Sequence, residues 1–246
     1  MTRTNDSPPL EIRVGHVLDV LQTLPAQSIP CAIMSPPYWQ LERFDIPDVT
    51  WPDGWEGQLG LEEFPQDYVL HLGYVFWALR RVMMLNGGIW WNMGDSALYK
   101  NAMRHDLRAR LIPQWLANAL SAQAWSVVGA PFTKRDGLYR ASMVPRNVGG
   151  WRTPQTAEGA IRRAILLDAP NPDDLVLDPF CGRGFTGFVA RQMGRPFLGI
   201  EVGMATALEA RNRILGLTAA STPLDPQDEP LTTSATPSRE SNPPAE

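Results

Sequence analysis

The chain has 246 residues, 44% of them hydrophobic and 20% charged, with 23 Pro, 9 Trp and a formal net charge of −4. That length suits one sizeable domain with its own core, and calls for neither a disulfide scaffold nor an array of small modules. The two cysteines, Cys31 and Cys181, stand 150 positions apart without C-x-x-C spacing, which argues against a structural zinc site and for a reducing compartment.

Residues 1–9 carry no apolar leader core and are expected to be flexible. From there, short apolar runs alternate with longer runs of helical period, the pattern of a mostly parallel sheet covered by helices. A strand is expected at 11–14, a helix at 17–24, and a strand at 29–34 that ends on Ser35-Pro36-Pro37-Tyr38-Trp39. A loop rich in Trp, Pro and Gly follows over 39–63. The stretch PQDYVLHLGYVFWALRRVMML then reads as a long amphipathic helix stopped by Asn86-Gly87-Gly88. Next come a strand at 89–93, a helix at 107–122, a strand at 124–129 and a basic loop extending to about 155. Helix 156–167, strand 174–178, helix 185–193, strand 196–200 and helix 204–215 complete a single domain over 10–217 without internal repeats. The last 29 residues, 218–246, contain six prolines and no aromatic residue, so they bury too little apolar surface to offset ordering entropy and are expected to be disordered. The apolar runs, such as VFWAL at 75–79, fall well short of the ~18 residues of a membrane span. A soluble, cytoplasmic protein is the expectation.

In open α/β sheets, ligands bind beyond the carboxyl ends of strands, and two such ends carry chemistry. In LVLDPFCGRGFTGFVARQMGRPFLGIE, the residues Gly182, Gly184 and Gly187 fit G-x-G-x-x-G between a strand and a helix, with Glu201 23 residues beyond Asp178. The glycines permit a tight turn and close backbone approach, and a carboxylate at Glu201 suits two ribose hydroxyls. A dinucleotide site would free this loop for a pyrophosphate. Here Asp178 stands four residues ahead of Gly182, where it would repel phosphate but attract an ammonium and a sulfonium, the cationic groups of S-adenosylmethionine. Packing glycines with a helix-capping Asp are the structural alternative.

The other end is Ser35-Pro36-Pro37-Tyr38-Trp39. Two prolines fix an extended backbone and remove two amide donors, leaving carbonyls and the Ser35 hydroxyl as acceptors, while Tyr38 offers a flat face. That set suits a planar ring bearing an NH₂ group. A proline-rich turn with a packed Tyr is the alternative.

Charge is unevenly spread. Residues 1–99 sum to −7, residues 100–163 to +8, residues 164–217 to −1 and the last 29 to −4. The central block suits a phosphate backbone, although the same count also describes a solvated basic face.

At these two motifs the chain resembles the amino-methylating DNA methyltransferases, which methylate the exocyclic nitrogen of cytosine or adenine. SPPYW matches their [DNS]-P-P-[YFW] motif and DPFCGRGFTG their D-P-F-x-G-x-G-T-T loop, with Phe185 in place of the first Thr. VGHVLDVLQTLP, GQLGLEEFPQDYV and GGIWWNMGDS also resemble the bacterial and phage branch, and the order, catalytic motif before cofactor loop, is that of the permuted beta class. His16 stands where many members have Asp, and the family's usual Trp-x-Lys, Asp-Arg and His-Glu pairs are absent from the middle of the chain.

The resemblance implies a Rossmann-like, circularly permuted methyltransferase fold over roughly 10–215, and S-adenosyl-L-methionine as cofactor. It implies that Asp178, Pro179, Phe180, Gly182, Gly184, Thr186 and Glu201 bind the cofactor, and that Ser35, Pro36, Pro37 and Tyr38 form the catalytic set. It also implies double-stranded DNA with a flipped base as partner, Lys134, Arg135, Arg140 and Arg146 of the basic region 130–155 as its contacts, and no membrane or metal; a homodimer is left open. Ser at the first catalytic position favours cytosine-N4 as the target, with adenine-N6 as the alternative. A release-factor-type methyltransferase would carry Asn-Pro-Pro-Tyr after the cofactor loop, the reverse of the order here. A nicotinamide-dependent oxidoreductase leaves SPPYW without a role. A catalytically weakened DNA-binding relative is the remaining alternative.

Overall fold

The computed structural model describes residues 8–40, 43–94, 112–131, 136–143 and 157–217. In chain order the elements are β1 Leu10–Val14, α1 Val17–Thr23, β2 Ile29–Met34, a small hairpin of β3 Val49–Thr50 and β4 Glu56–Gly57, α2 Pro65–Val82, β5 Met83–Gly94 and α3 Ile112–Ala122. They continue with β6 Ser126–Pro131, β7 Asp136–Ser142, α4 Ala157–Asp168, β8 Val176–Asp178, α5 Phe185–Gln192, β9 Phe197–Glu201 and α6 Met204–Leu215. Seven strands form one sheet in the order β1-β9-β8-β2-β5-β7-β6. The first five run parallel and β7 is antiparallel to both of its neighbours.

Helices cover both faces, because each has one apolar stripe and the sheet has two apolar faces to bury. Leu21, Leu72, Leu79 and Leu116 bring α1, α2 and α3 into one core cluster. Ile161, Ile165, Val189 and Ile214 bring α4, α5 and α6 into the other, and α6 also packs on the edge strand β1. None of the described helices is long and apolar enough to cross a membrane.

Helix α2 shows how sequence sets an element. Pro65 opens it, Asp67 lies in its first turn and Arg80 and Arg81 in its last, all favourable to the helix dipole. Tyr68, His71, Leu72, Val75, Phe76, Leu79 and Val82 form the buried stripe. The helix ends at Val82, earlier than the Asn86-Gly87-Gly88 stop expected from sequence, because Met83 already pairs with Ile29. The parallel register jumps from Ile29↔Met83 to Cys31↔Gly88, and this irregularity takes up the glycine-containing stretch inside β5.

The basic region 130–155 also departs from expectation. It is not one loop, since β7 lies within it and pairs with β5 and β6 in the sheet. Arg140, expected as a DNA contact, is only 1% exposed. Its Nε and Nη2 donate to Asp168 at the end of α4, both at 2.8 Å, and its Nη1 donates to Ser142 Oγ at 2.9 Å. The Trp90 indole adds a bond to the same Asp168 carboxylate at 2.7 Å. Arg140 is thus a buried bolt between sheet and helix, out of reach of a DNA backbone. Lys134, Arg135 and Arg146, together with residues 107–111, 144–155 and the tail 218–246, lie outside the described residues.

Removing one partner of a buried ion pair leaves a buried charge uncompensated. Asp168→Ala is expected to cost about 3–5 kcal/mol in urea denaturation, whereas Asp168→Asn, which keeps part of the bonding, should cost distinctly less.

Candidate active site

The carboxyl ends of β2, β8 and β9 lie side by side, since β8 pairs in parallel with both of its neighbours. Asp178 closes β8 and Glu201 closes β9. Asp178 is 3% exposed, accepts the Phe180 amide at 3.0 Å and is bonded by the Thr186 hydroxyl. Burial outweighs these bonds and, with the nearby Glu201 charge adding to it, lifts its pKa to about 7. Glu201 accepts the amides of Gly182 at 3.0 Å and Gly203 at 2.9 Å, while burial again moves its pKa upward. Two acids with no neutralising cation among the described residues are therefore held at one strand edge. Gly184 caps α5 with φ +78°, and a Cβ there would come within 2.9 Å of Ala210, so only glycine lets α5 start this close to α6.

Ser35 directly follows β2 and is exposed, whereas Tyr38 and Trp39 are buried. Neighbours that sequence reasoning did not single out hold this stretch from behind. Tyr68 of α2 donates to the Pro37 carbonyl at 2.7 Å, and Asn92 of β5 donates to the Tyr38 hydroxyl at 3.0 Å. The Trp39 indole donates to the Glu62 carbonyl at 2.8 Å, and the Gln40 amide to that of Gly60 at 2.5 Å. Gly60 has φ +96°, and a Cβ on it would meet the Tyr38 carbonyl at 2.8 Å. The early signal of this buttress was the GQLGLEEFPQDYV stretch itself, whose Gly60 and Glu62 carbonyls receive the bonds from Gln40 and Trp39, contacts that a sequence pattern does not display.

The Glu62 side chain continues inward. Its Oε2 accepts the Gly60 amide at 2.8 Å and its Oε1 meets His71 Nδ1 at 2.8 Å, while His71 Nε2 meets Asp53 Oδ2 at 3.1 Å. Trp51 and Trp55 stack on the two sides of the imidazole with centroids 4.7 and 4.9 Å away. Burial alone would lower the His71 pKa, but its bonds to Glu62 and Asp53 prevail and raise it. Among the described residues, no three His, Cys, Asp or Glu side chains are grouped to hold a metal ion.

Comparison with known proteins agrees with this layout. A family model described as DNA methylase matches residues 152–211. The type II methyltransferase M.Cfr9I of Citrobacter freundii is 28% identical, over 85% of this chain and 91% of its own. Among solved structures, TTHA0409 of Thermus thermophilus complexed with S-adenosyl-L-methionine shares the fold with a TM-score of 0.63 at 20% identity, covering 84% of this chain and 95% of that one. The PvuII DNA methyltransferase, cytosine-N4-specific, does so with a TM-score of 0.57 at 14% identity, covering 85% and 89%. In the stretch matched by the family model, in these relatives and in fold, the chain is similar to amino-methylating DNA methyltransferases.

The His71 hub gives a pH signature. A histidine whose folded pKa lies above its unfolded value contributes stability that is complete below the unfolded value and is lost as pH rises through the folded one. The melting temperature of wild type should exceed that of His71→Gln most near about pH 6, and the gap should shrink toward about pH 9.

Proposed function

We propose that the chain transfers a methyl group from S-adenosylmethionine to the N4 amine of a cytosine in DNA. One observation carries the reading: β2 and β8 pair in parallel, so the Ser35-Pro36-Pro37-Tyr38 end and the Asp178 end open on the same edge of the sheet. The donor set suits the cofactor, because a buried and a half-buried carboxylate match an ammonium, a sulfonium and ribose hydroxyls and would repel a pyrophosphate. Asp178, with Pro179, Phe180, Gly182, Gly184 and Thr186 shaping the loop around it, holds the cationic methionine end; Glu201 takes the ribose. When bound, the cofactor supplies an electrophilic methyl group.

A ring-conjugated amine is a poor nucleophile, so this chain's task is to align it and draw electron density onto it. Tyr68 already occupies the Pro37 carbonyl, which leaves Ser35 Oγ and the Pro36 carbonyl as the acceptors for the two amine hydrogens. Those bonds strengthen as positive charge develops on nitrogen, which favours the transition state over the ground state. Tyr38, fixed at its hydroxyl by Asn92, forms the wall against which the flipped base rests. Lys134, Arg135 and Arg146 supply phosphate contacts from the central basic block. Ser at the first motif position is what supports cytosine over adenine, since both bases present the same amine to the same acceptors.

Ser35→Ala should abolish methylation and leave cofactor affinity within about twofold, because its contacts lie in the other half of the site. Incubation of wild type with DNA and labelled cofactor, followed by nucleoside mass spectrometry, should give N4-methylcytosine; N6-methyladenine would assign the other base. A second expectation follows from Asp178. Because a cationic ligand favours its ionised form, S-adenosylmethionine affinity should climb by up to about tenfold per pH unit below 7 and level off above it. Calorimetry should show that slope in wild type and its absence in Asp178→Asn.

A further inference from the structure

The segment between Tyr38 and α2 is longer than a strand-to-helix connection requires, and its described residues make contacts near several strand ends. It leaves the end of β2 tied to Gly60 and Glu62, as above. Ile46 then lies at the end of β9, where a Cβ on Gly203 would come within 2.9 Å of its Cγ2 methyl. Further on, buried Trp51 meets His16, just beyond β1, edge to face at 4.9 Å. In the sheet, β8 stands between β2 and β9, and two strand spacings amount to about 10 Å. Tyr38, beyond the end of β2, and Ile46, at the end of β9, thus belong to strand ends that flank β8 in the sheet.

Residues 44–46 are held in place by a buried side chain. Gln58, 3% exposed, accepts the Phe44 amide at 3.1 Å and donates to the carbonyls of Phe44 at 3.1 Å and Ile46 at 2.8 Å. One buried amide thus fixes three backbone groups of 44–46 where no regular element would. Ile46 itself stays only half-buried. Its neighbour Gly203 gives its amide to Glu201, so an apolar side chain sits beside the carboxylate assigned to the ribose.

We propose that residues 44–46 roof the adenosine end of the cofactor site, with Ile46 as a binding residue against the adenine face and Gln58 as the residue that positions it. The inference rests on the reading of Glu201 as ribose acceptor. A planar ring attached to a ribose at Glu201 needs an apolar wall within a few ångströms, and Ile46 is an apolar group that the fold brings there. The amine site and the adenosine site then share one continuous segment, with SPPYW at its start and the roof a few residues later.

The test is calorimetric titration of the intact protein with S-adenosylmethionine. Ile46→Asp, which sets a charge against the ring and near Glu201, should weaken binding at least about tenfold, while Ile46→Val stays within about fourfold. Gln58→Leu, similar in size but unable to hold the segment, should weaken binding severalfold, with the circular dichroism of all three unchanged. Wild-type affinity in Ile46→Asp, while Glu201→Gln loses binding, would overturn the roof and leave the reading of Glu201 standing. Wild-type affinity in both, or no binding by wild type, would overturn that reading and the roof with it.

Discussion

Parallel pairing of β8 between β2 and β9 is the constraint on which the rest of the molecule depends. Parallel neighbours must end on the same edge, so each strand delivers its terminal residue to one line: Ser35 from β2, Asp178 from β8, Glu201 from β9. Parallel strands also require crossovers, and these become the helices that sandwich the sheet. The distance between motifs that stand some 140 residues apart in sequence collapses to one strand spacing. Everything else holds that edge in place.

The interior holds it with charge as well as with apolar packing. The Arg140–Asp168 pair clamps β7 to α4, and the His71 imidazole joins Glu62 to Asp53 between two indoles. Such groups are costly to bury alone, so each is matched in full: a bidentate carboxylate for the guanidinium, two carboxylates for the imidazole. Asp178, buried, and Glu201, half-buried, in contrast form a pair of acids with no cation matched to them among the described residues. The asymmetry separates charges that serve the scaffold from the two acids proposed to meet a cationic ligand.

Sequence reading recovered the parallel, doubly wound sheet because buried strands and amphipathic helices differ in period, and it located both strand ends because Pro and Gly mark them chemically. It failed where long-range pairing overrides local signals. Gly87-Gly88 reads as a helix stop, yet Gly88 lies where a Cβ would strike Asp168, a contact made by a residue 80 positions away. Arg140 reads as surface charge because nothing local announces Asp168. The buttress was equally hidden, since the Trp39 indole bond to the Glu62 carbonyl and the Tyr68 bond to the Pro37 carbonyl run from side chains to backbone atoms of a distant segment. A charge count locates cations along the chain but not the direction in which they point.

The packing of α6 on β1 has a topological consequence. β1 begins, and α6 finishes, on the side of the sheet away from the motif-bearing edge, so Leu10 and Leu215 face the same end of the molecule. A short connection there, with a cut between α4 and β8, would yield a chain in which the glycine loop precedes the Ser-Pro-Pro-Tyr strand while every contact at the edge is kept. Motif order is thus a property of where the polypeptide is opened, and the site is indifferent to it.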